Sequence, residues 1–205
     1  MFKIEKPKIN NLNLKKYSEL KDKEKLEELC ISHENILLNS YEVNTCKFDT
    51  VIFDKNTINN VYISDTIFIN CDLSNIKFIN SSFYRVEFIN CKLFGTNFID
   101  CSLNNIFIND SICTYINFAG NKIKYINISN SNLKYSSFVD NNLKSIELNN
   151  IDLSESEINN TSLKNIDLSS SKIDNLKIDI YSIKGATINS YQAMDLINLL
   201  GVIIK

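Results

Sequence analysis

The sequence predicts an all-β solenoid, a coil of short extended sides, and three periodic observations favour this fold class. First, every fifth residue from Phe48 to Ile188 is Leu, Ile or Phe at 28 of 29 positions, the exception being Cys113. Second, an apolar or small residue usually lies two positions before each of these centres. Third, Asn, Asp or Gly often lies two positions after them, where short polar side chains favour a bend. A period of five fits neither an amphipathic helix nor an ordinary strand.

The first 35 residues precede the clean repeat and are predicted to form a lead-in and a cap. Residues 1–16 are basic with scattered apolar side chains and predict an irregular segment. Residues 18–30 are predicted to form a helix capped by Ser18, with an apolar stripe of Leu20, Leu26, Leu29 and Cys30. We expect this helix to cover the first coil, because an open solenoid end exposes core side chains and strand edges.

The predicted solenoid extends over residues 36–189 without an insertion, and residues 190–205 form a third segment. Ser190 can cap a helix whose apolar face would contain Ala193, Leu196, Ile197 and Leu200. Gly201 suits the end of that helix. A strand-like apolar tail follows, with Val202, Ile203 and Ile204.

The five-residue units resemble those of the pentapeptide-repeat family, most clearly in residues 81–105, SSFYR-VEFIN-CKLFG-TNFID-CSLNN. The resemblance implies a right-handed quadrilateral β-helix with four units, or twenty residues, in each coil. Phe78, Phe98, Phe118 and Phe138 should then stack in one column. With coils about 4.8 Å apart, the rod would be roughly 36 Å long. Cys, Val or Ile often replaces the alanine that the family prefers two positions before the centre, which suggests a slightly wider coil.

The resemblance also implies a homodimer, because the C-terminal helix and tail commonly form the dimer contact in this family. The predicted contact residues are Ala193, Leu196, Ile197, Leu200, Val202, Ile203 and Ile204. A free tail with three branched apolar residues is an aggregation risk, which pairing about a twofold axis would remove.

The sequence offers little that could support catalysis, and we expect no enzyme, cofactor or metal site. His33 is the only histidine, and neither a phosphate-binding loop nor a dinucleotide motif occurs. Five of the six cysteines occupy inward positions and predict buried thiols: Cys46, Cys71, Cys91, Cys101 and Cys113. No stretch resembles a signal peptide or a membrane span, so we expect a reducing, cytoplasmic location and no contact with a membrane.

Three outward-facing sets of residues are candidate surfaces. An apolar ladder contains Ile79, Ile99 and Val139, together with Ala119, and either packs across a corner or binds protein. A lysine stripe contains Lys124, Lys144, Lys164 and Lys184, and either protects a sheet edge or binds anions or nucleic acid. Tyr115 and Tyr135 lie twenty residues apart, and stacking between coils or partner binding would each explain them.

Two functions are compatible with these features. One is a protein-interaction scaffold whose partner is unknown. The alternative, implied by the resemblance, is a DNA mimic that binds DNA gyrase, a type II topoisomerase, and gives quinolone resistance. Residues 41–205 carry 17 acidic and 14 basic side chains, whereas a DNA-like rod of this length needs on the order of 20 negative charges. The charge therefore favours the scaffold, and a pI near 5.5 argues against nucleic-acid binding.

Overall fold

A computed structural model describes residues 3–21 and 24–200, and within them the chain forms a parallel β-solenoid of about eight turns. The strands in chain order are β1 (Asn13–Leu14), β2 (Lys25–Glu27), β3 (Leu29–Ser32), β4 (Asn35–Ile36), β5 (Glu42–Asn44), β6 (Lys47–Asp49), β7 (Ile52–Phe53), β8 (Thr57–Asn59), β9 (Tyr62–Ile69), β10 (Lys77–Ile79), β11 (Ser82–Ile89), β12 (Asn97–Ile99), β13 (Ser102–Asn109), β14 (Asn117–Ala119), β15 (Lys122–Ser129), β16 (Ser137–Val139), β17 (Asn142–Asn149), β18 (Glu157–Asn159) and β19 (Lys177–Ile178).

Each coil has four sides, which we number from the centre positions 63, 68, 73 and 78 and their equivalents every twenty residues. The eight-residue strands β9, β11, β13, β15 and β17 cover sides 1 and 2 and stack in parallel with a twenty-residue offset. Side 3 is held by single parallel bridges, such as those joining Asp72, Lys92 and Ile112. Side 4 is the seven-stranded sheet from β8 to β19. The predicted four-sided coil of twenty residues is confirmed.

The core consists of four columns of centre residues inside the coil. Phe78, Phe98, Phe118 and Phe138 form one column, as predicted, with successive ring centroids 5.3, 5.2 and 5.0 Å apart and nearly parallel planes. A second ring column, Phe48, Phe68 and Phe88, lies on side 2. The centres are buried except for four that are half-buried: Phe138, Leu143, Ile183 and Ile188.

The prediction of an N-terminal cap helix over residues 18–30 is wrong. Its region contains one 3₁₀ turn, Tyr17–Glu19, followed by β2 and β3. The physical reason is a five-residue spacing of Leu26, Ile31 and Ile36, which are fully buried and belong to an additional coil. The coil therefore begins before residue 36, and the boundary between lead-in and solenoid moves towards the N-terminus.

This first coil is three residues shorter than the others. Leu26 pairs with Val43, Ile31 with Phe48 and Ile36 with Phe53, each at an offset of seventeen. The shortening falls on side 4, where the buried Leu38 accepts a hydrogen bond at its carbonyl from Asn56 at 2.9 Å. The short coil explains why the periodic pattern does not extend upstream of Leu38.

Two short helices lie at the C-terminal end: α1 (Ile180–Ile183) and α2 (Ser190–Leu196), with a 3₁₀ turn at Ile197–Leu200. The C-terminal helix is as predicted, but its N-cap is Asn189 and not Ser190. The Asn189 side chain accepts hydrogen bonds from the N–H groups of Tyr191 and Gln192, and Gln192 accepts one from Asn189 N–H in return. The one-turn helix α1 was not predicted. The tail, 201–205, lies outside the described residues.

The stacking is interrupted on sides 1 and 2 between β17 and residues 162–168. β17 is the last strand of its sheet, and among the described residues no backbone hydrogen bond joins it to 162–168. Residues 163–166 form a tight turn, with Ile166 N–H donating to the Leu163 carbonyl at 3.0 Å, whereas the preceding coils carry continuous strand around this corner. The change of corner geometry leaves a cleft of about 470 Å³, which we call the inter-coil cleft.

Candidate interaction surfaces

The outer surface of side 3 carries charges of both signs along the rod, together with neutral residues. Asp72, Lys92, Ile112, Asn132 and Asp152 succeed one another on consecutive coils. The Lys92 Nζ atom lies 3.7 Å from Asp72 Oδ2, and the Lys134 Nζ atom lies 3.5 Å from Asp152 Oδ2. Ion pairs this exposed contribute little stability, but they prevent either sign from accumulating. This side therefore carries a mixed charge.

Three exposed aromatic side chains, Phe94, Tyr115 and Tyr135, form a ladder along the corner between sides 3 and 4. The rings of Tyr115 and Tyr135 stack with centroids 5.0 Å apart, and Phe94 meets Tyr115 edge-on at 5.5 Å. They remain 42%, 50% and 47% exposed, respectively. Stacking restricts the orientation of the rings while a large part of each stays exposed, which suits a protein contact.

The predicted apolar ladder is formed on side 4, where Ile79, Ile99, Ala119 and Val139 are in register on adjacent strands. All four are half-buried, so the surface they offer is narrow. Nothing in the structure indicates what would bind there.

The lysine stripe is divided by the inter-coil cleft. Lys124 and Lys144 are paired on β15 and β17, and the Lys124 ammonium lies 4.8 Å from the Tyr125 ring centre. Lys144 and Lys164 line opposite walls of the cleft. Lys184 follows on the next coil and is exposed.

The C-terminal end carries a group of strongly exposed apolar side chains. Ile180, Tyr181, Tyr191 and Met194 are each more than half exposed. Beside them is a shallow groove of about 380 Å³, lined by Ile180, Ile183, Ile188, Ala193, Leu196, Ile197 and Leu199. Ala193, Leu196 and Ile197 of the predicted dimer contact are thus placed at one surface. The side chain of Leu200, and Val202, Ile203 and Ile204, lie outside the described residues.

An extended N-terminal segment, residues 3–10, lies across the corner between sides 1 and 2. Glu5 N–H donates to Asn105 Oδ1 at 2.8 Å and Lys8 N–H donates to Asp65 Oδ1 at 2.7 Å. Three extended residues span about 10 Å, which matches two coil spacings of about 4.8 Å. The segment therefore runs parallel to the axis of the rod, as a strap that the sequence did not predict.

Beneath this strap lies a cluster of charges that are poorly accessible to solvent. Arg85 makes a two-pronged contact with Asp65, with Nε–Oδ1 2.7 Å and Nη2–Oδ2 2.5 Å. Burial alone would raise the pKa of Asp65, but the hydrogen bonds from Arg85 and Lys8 outweigh it and hold this pKa below its usual value. Burial raises the pKa of the neighbouring Glu87, and the charge of Lys6 offsets only part of this rise.

Residues 41–118 match a family model whose description is a pentapeptide repeat region. Over these residues the coil is a pentapeptide repeat region. The chain is similar to a trypsin-treated form of QnrB1, a plasmid-mediated fluoroquinolone resistance protein, with 19% identity, coverage of 89% and 92% of the two chains, and a TM-score of 0.45. It is also similar to HetL, a pentapeptide repeat protein involved in heterocyst differentiation regulation from the cyanobacterium Nostoc sp. strain PCC 7120, with 11% identity, coverage of 80% and 86%, and a TM-score of 0.37. No curated protein matches the sequence.

The cysteines of the coil are buried free thiols, apart from the half-buried Cys30. Burial raises the pKa of Cys46 and of Cys101 to about 11, and that of Cys113 to about 12. Thiols with such pKa values are protonated at neutral pH and are therefore poor nucleophiles. Their role is to fill inward positions of the coil.

The described residues contain no group of three or more His, Cys, Asp or Glu side chains that could hold a metal ion. His33 lies on the N-terminal short coil, at a bend with a left-handed backbone (φ 56°). None of the helices in residues 3–21 and 24–200 is long and apolar enough to cross a membrane.

Proposed function

We propose that the protein is a non-enzymatic protein-interaction scaffold of the cytoplasm that presents rigid side-chain ladders to a protein partner. The observation that carries this proposal is the exposed aromatic ladder of Phe94, Tyr115 and Tyr135 beside a surface of mixed charge. Tyrosine is enriched among the residues that contribute most to protein interfaces, and stacked rings lose little conformational freedom on binding. A rod whose rings are held by neighbouring coils offers such a surface without a folding step.

The same proposal includes a homodimer through the C-terminal end. The apolar groove along α1 and α2 and the exposed side chains around it support an interface between two copies, because a twofold contact buries the same patch on both.

The experiment that tests the scaffold places a photo-crosslinking phenylalanine analogue at position 115 in cells. A crosslinked protein is then purified, and its affinity is measured for wild type and for Tyr115→Ala/Tyr135→Ala. We expect at least a tenfold loss, or about 1.4 kcal/mol. The control is Tyr62→Ala, which removes an exposed tyrosine on side 1. Equal affinities for all three proteins would contradict a role for the ladder.

The gyrase-directed alternative would need a continuous acidic face. Side 3 carries charges of both signs, and the stripe on side 1 is basic, so these two sides argue against mimicry of duplex DNA. We expect no inhibition of gyrase supercoiling at sub-micromolar protein, and no relief of quinolone inhibition. Inhibition in that range would make DNA mimicry the leading function.

A further inference from the structure

The inter-coil cleft has a free backbone edge on its β17 wall. One coil further on, the N–H groups of Leu163, Asn165 and Leu168 donate to the carbonyls of Ser182, Gly185 and Thr187. The equivalent groups of β17, twenty residues earlier, belong to Leu143, Ser145 and Leu148, and residues 162–168 accept no bond from them. At the end of the same edge, Asn150 N–H donates to the Ser170 hydroxyl at 3.2 Å, where the preceding coils use a carbonyl. An exposed strand edge of this kind pairs readily with another extended chain.

The interior reached through the cleft is apolar. Phe138, Leu143 and Ile146 are only half-buried, although their equivalents one coil earlier, Phe118, Ile123 and Ile126, are buried. These three residues help to line a cavity of about 30 Å³ that has no polar lining. An apolar side chain entering here would cover these three residues and restore the burial found in the other coils.

The outer rim of the cleft is positively charged. Lys144 and Lys164 are exposed on its two walls, and Lys124 and Lys184 continue the same stripe above and below. The single carboxylate among the lining residues, Glu147, already accepts a hydrogen bond from Asn127 at 2.9 Å. The rim therefore complements an acidic side chain.

We propose that the inter-coil cleft binds an extended acidic segment of a partner protein, which adds to β17 as a strand. The free edge requires an extended backbone, the floor requires an inward apolar side chain, and the lysines require outward acidic side chains on either side of it. This mode of recognition obtains affinity from main-chain bonds and specificity from alternate side chains. The proposal rests on the scaffold function but uses a different surface from the aromatic ladder.

The first measurement is amide hydrogen exchange of the full-length protein. The N–H groups of Leu143, Ser145 and Leu148 should exchange at least tenfold faster than those of Ile123, Tyr125 and Ile128, which are the matched positions on β15. If the β17 amides are protected as well as the β15 amides at both low and high protein concentration, β17 is already hydrogen-bonded along this edge, and the proposal is overturned. Protection that appears only at high concentration would make a second copy the occupant, and would overturn it as well.

The second measurement titrates the protein with the peptide acetyl-Glu-Leu-Glu-Ser-Ile-amide, followed by NMR. We expect shifts confined to residues 142–149 and 162–168, and slower exchange of the three β17 amides. The matched control is acetyl-Lys-Leu-Lys-Ser-Ile-amide, which should bind at least tenfold more weakly. Equal binding of the two peptides, or shifts elsewhere, would overturn the proposal.

A charge reversal completes the test. Lys144→Glu/Lys164→Glu should reverse the preference between the two peptides, whereas Lys172→Glu, an exposed change on side 3, should leave it unchanged. If neither peptide binds but the crosslinked partner still depends on Tyr115 and Tyr135, this inference fails while the scaffold function stands. If the acidic peptide binds but Tyr115→Ala/Tyr135→Ala does not change affinity for the crosslinked partner, the role of the aromatic ladder is contradicted and the role of the cleft is supported.

Discussion

Residues other than glycine adopt a left-handed backbone at corner after corner of this coil. Asn70, Arg85 and Tyr115 have φ values of 54°, 54° and 60°. Such a conformation costs an L-residue about 1–2 kcal/mol. Side-chain contacts between equivalent corners offset part of this cost, as in the hydrogen bond from Asn90 to Asn70 at 2.7 Å. The corners persist because each one places two inward residues in the core.

The first prediction concerns the Phe column on side 4. Replacing Phe118 with Ala should destabilise the protein by about 3–5 kcal/mol, because the ring is buried between Phe98 and Phe138 and a cavity would remain. Urea unfolding measures the change. Phe94→Ala, at an exposed ring, is the control and should cost less than about 1 kcal/mol. Similar losses for both variants would contradict the assignment of Phe118 to the core.

The second prediction concerns the buried carboxylate of Glu87. Burial raises its pKa above the unfolded value, so the ionised form destabilises the fold and stability rises as the pH falls through the folded pKa. Glu87→Gln should therefore be more stable than wild type at pH 7, and this advantage should disappear near pH 4. Unfolding in urea at both pH values measures it, with the exposed Glu157→Gln as control. An advantage that is independent of pH would exclude the ionisation as its cause.

At the scale of elements, the sequence predicts the repeat well and its two ends less well. The centres from Phe48 to Ile178 keep one register, so their burial and stacking follow directly from spacing. The N-terminal coil was not predicted, because its length of seventeen residues puts Leu26, Ile31 and Ile36 out of that register. The spacing of five among these three was a signal that could have revealed it.

The inter-coil cleft could not be predicted from residue type. Residues 143–146 and 163–166 read LKSI and LKNI, which have the same apolar and polar pattern. The two segments differ in backbone conformation at the corner. The consequence is that β17 and residues 162–168 are not joined by backbone hydrogen bonds. The strap could not be predicted either, because its contacts join residues up to 100 positions apart in the sequence.

The third prediction concerns the strap. Deleting residues 1–10 should leave the coils folded, because each coil is stabilised mainly by its neighbours. It removes three hydrogen bonds that involve side chains and one charged contact of Arg85, so we expect a loss of about 1–3 kcal/mol. Urea unfolding and hydrogen exchange of β9, β11 and β13 measure this. Loss of protection throughout these strands would show that the strap is essential for folding.

At the scale of the molecule, the fourth prediction concerns the homodimer. Light scattering at tens of micromolar should give twice the chain mass for the full-length protein. Deleting residues 191–205 should give monomer or aggregate, with circular dichroism showing the coils still folded. Ala193→Asp, at an exposed position of α2, should also give monomer, whereas Asp195→Asn should remain dimeric. A monomeric full-length protein would contradict the dimer.

The twenty-residue coil also limits how such a chain can change in length. Duplicating twenty residues within the regular coils would lengthen the rod by about 4.8 Å and leave every side where it was. Duplicating only five would keep the core pattern intact but turn everything downstream by a quarter of a revolution. The residues of the aromatic ladder on the two sides of the insertion would then lie on different corners of the rod. A partner bound along one side would lose its contacts with the coils beyond the insertion. Selection for a binding side would therefore admit whole coils and reject single units, although the fold itself tolerates both.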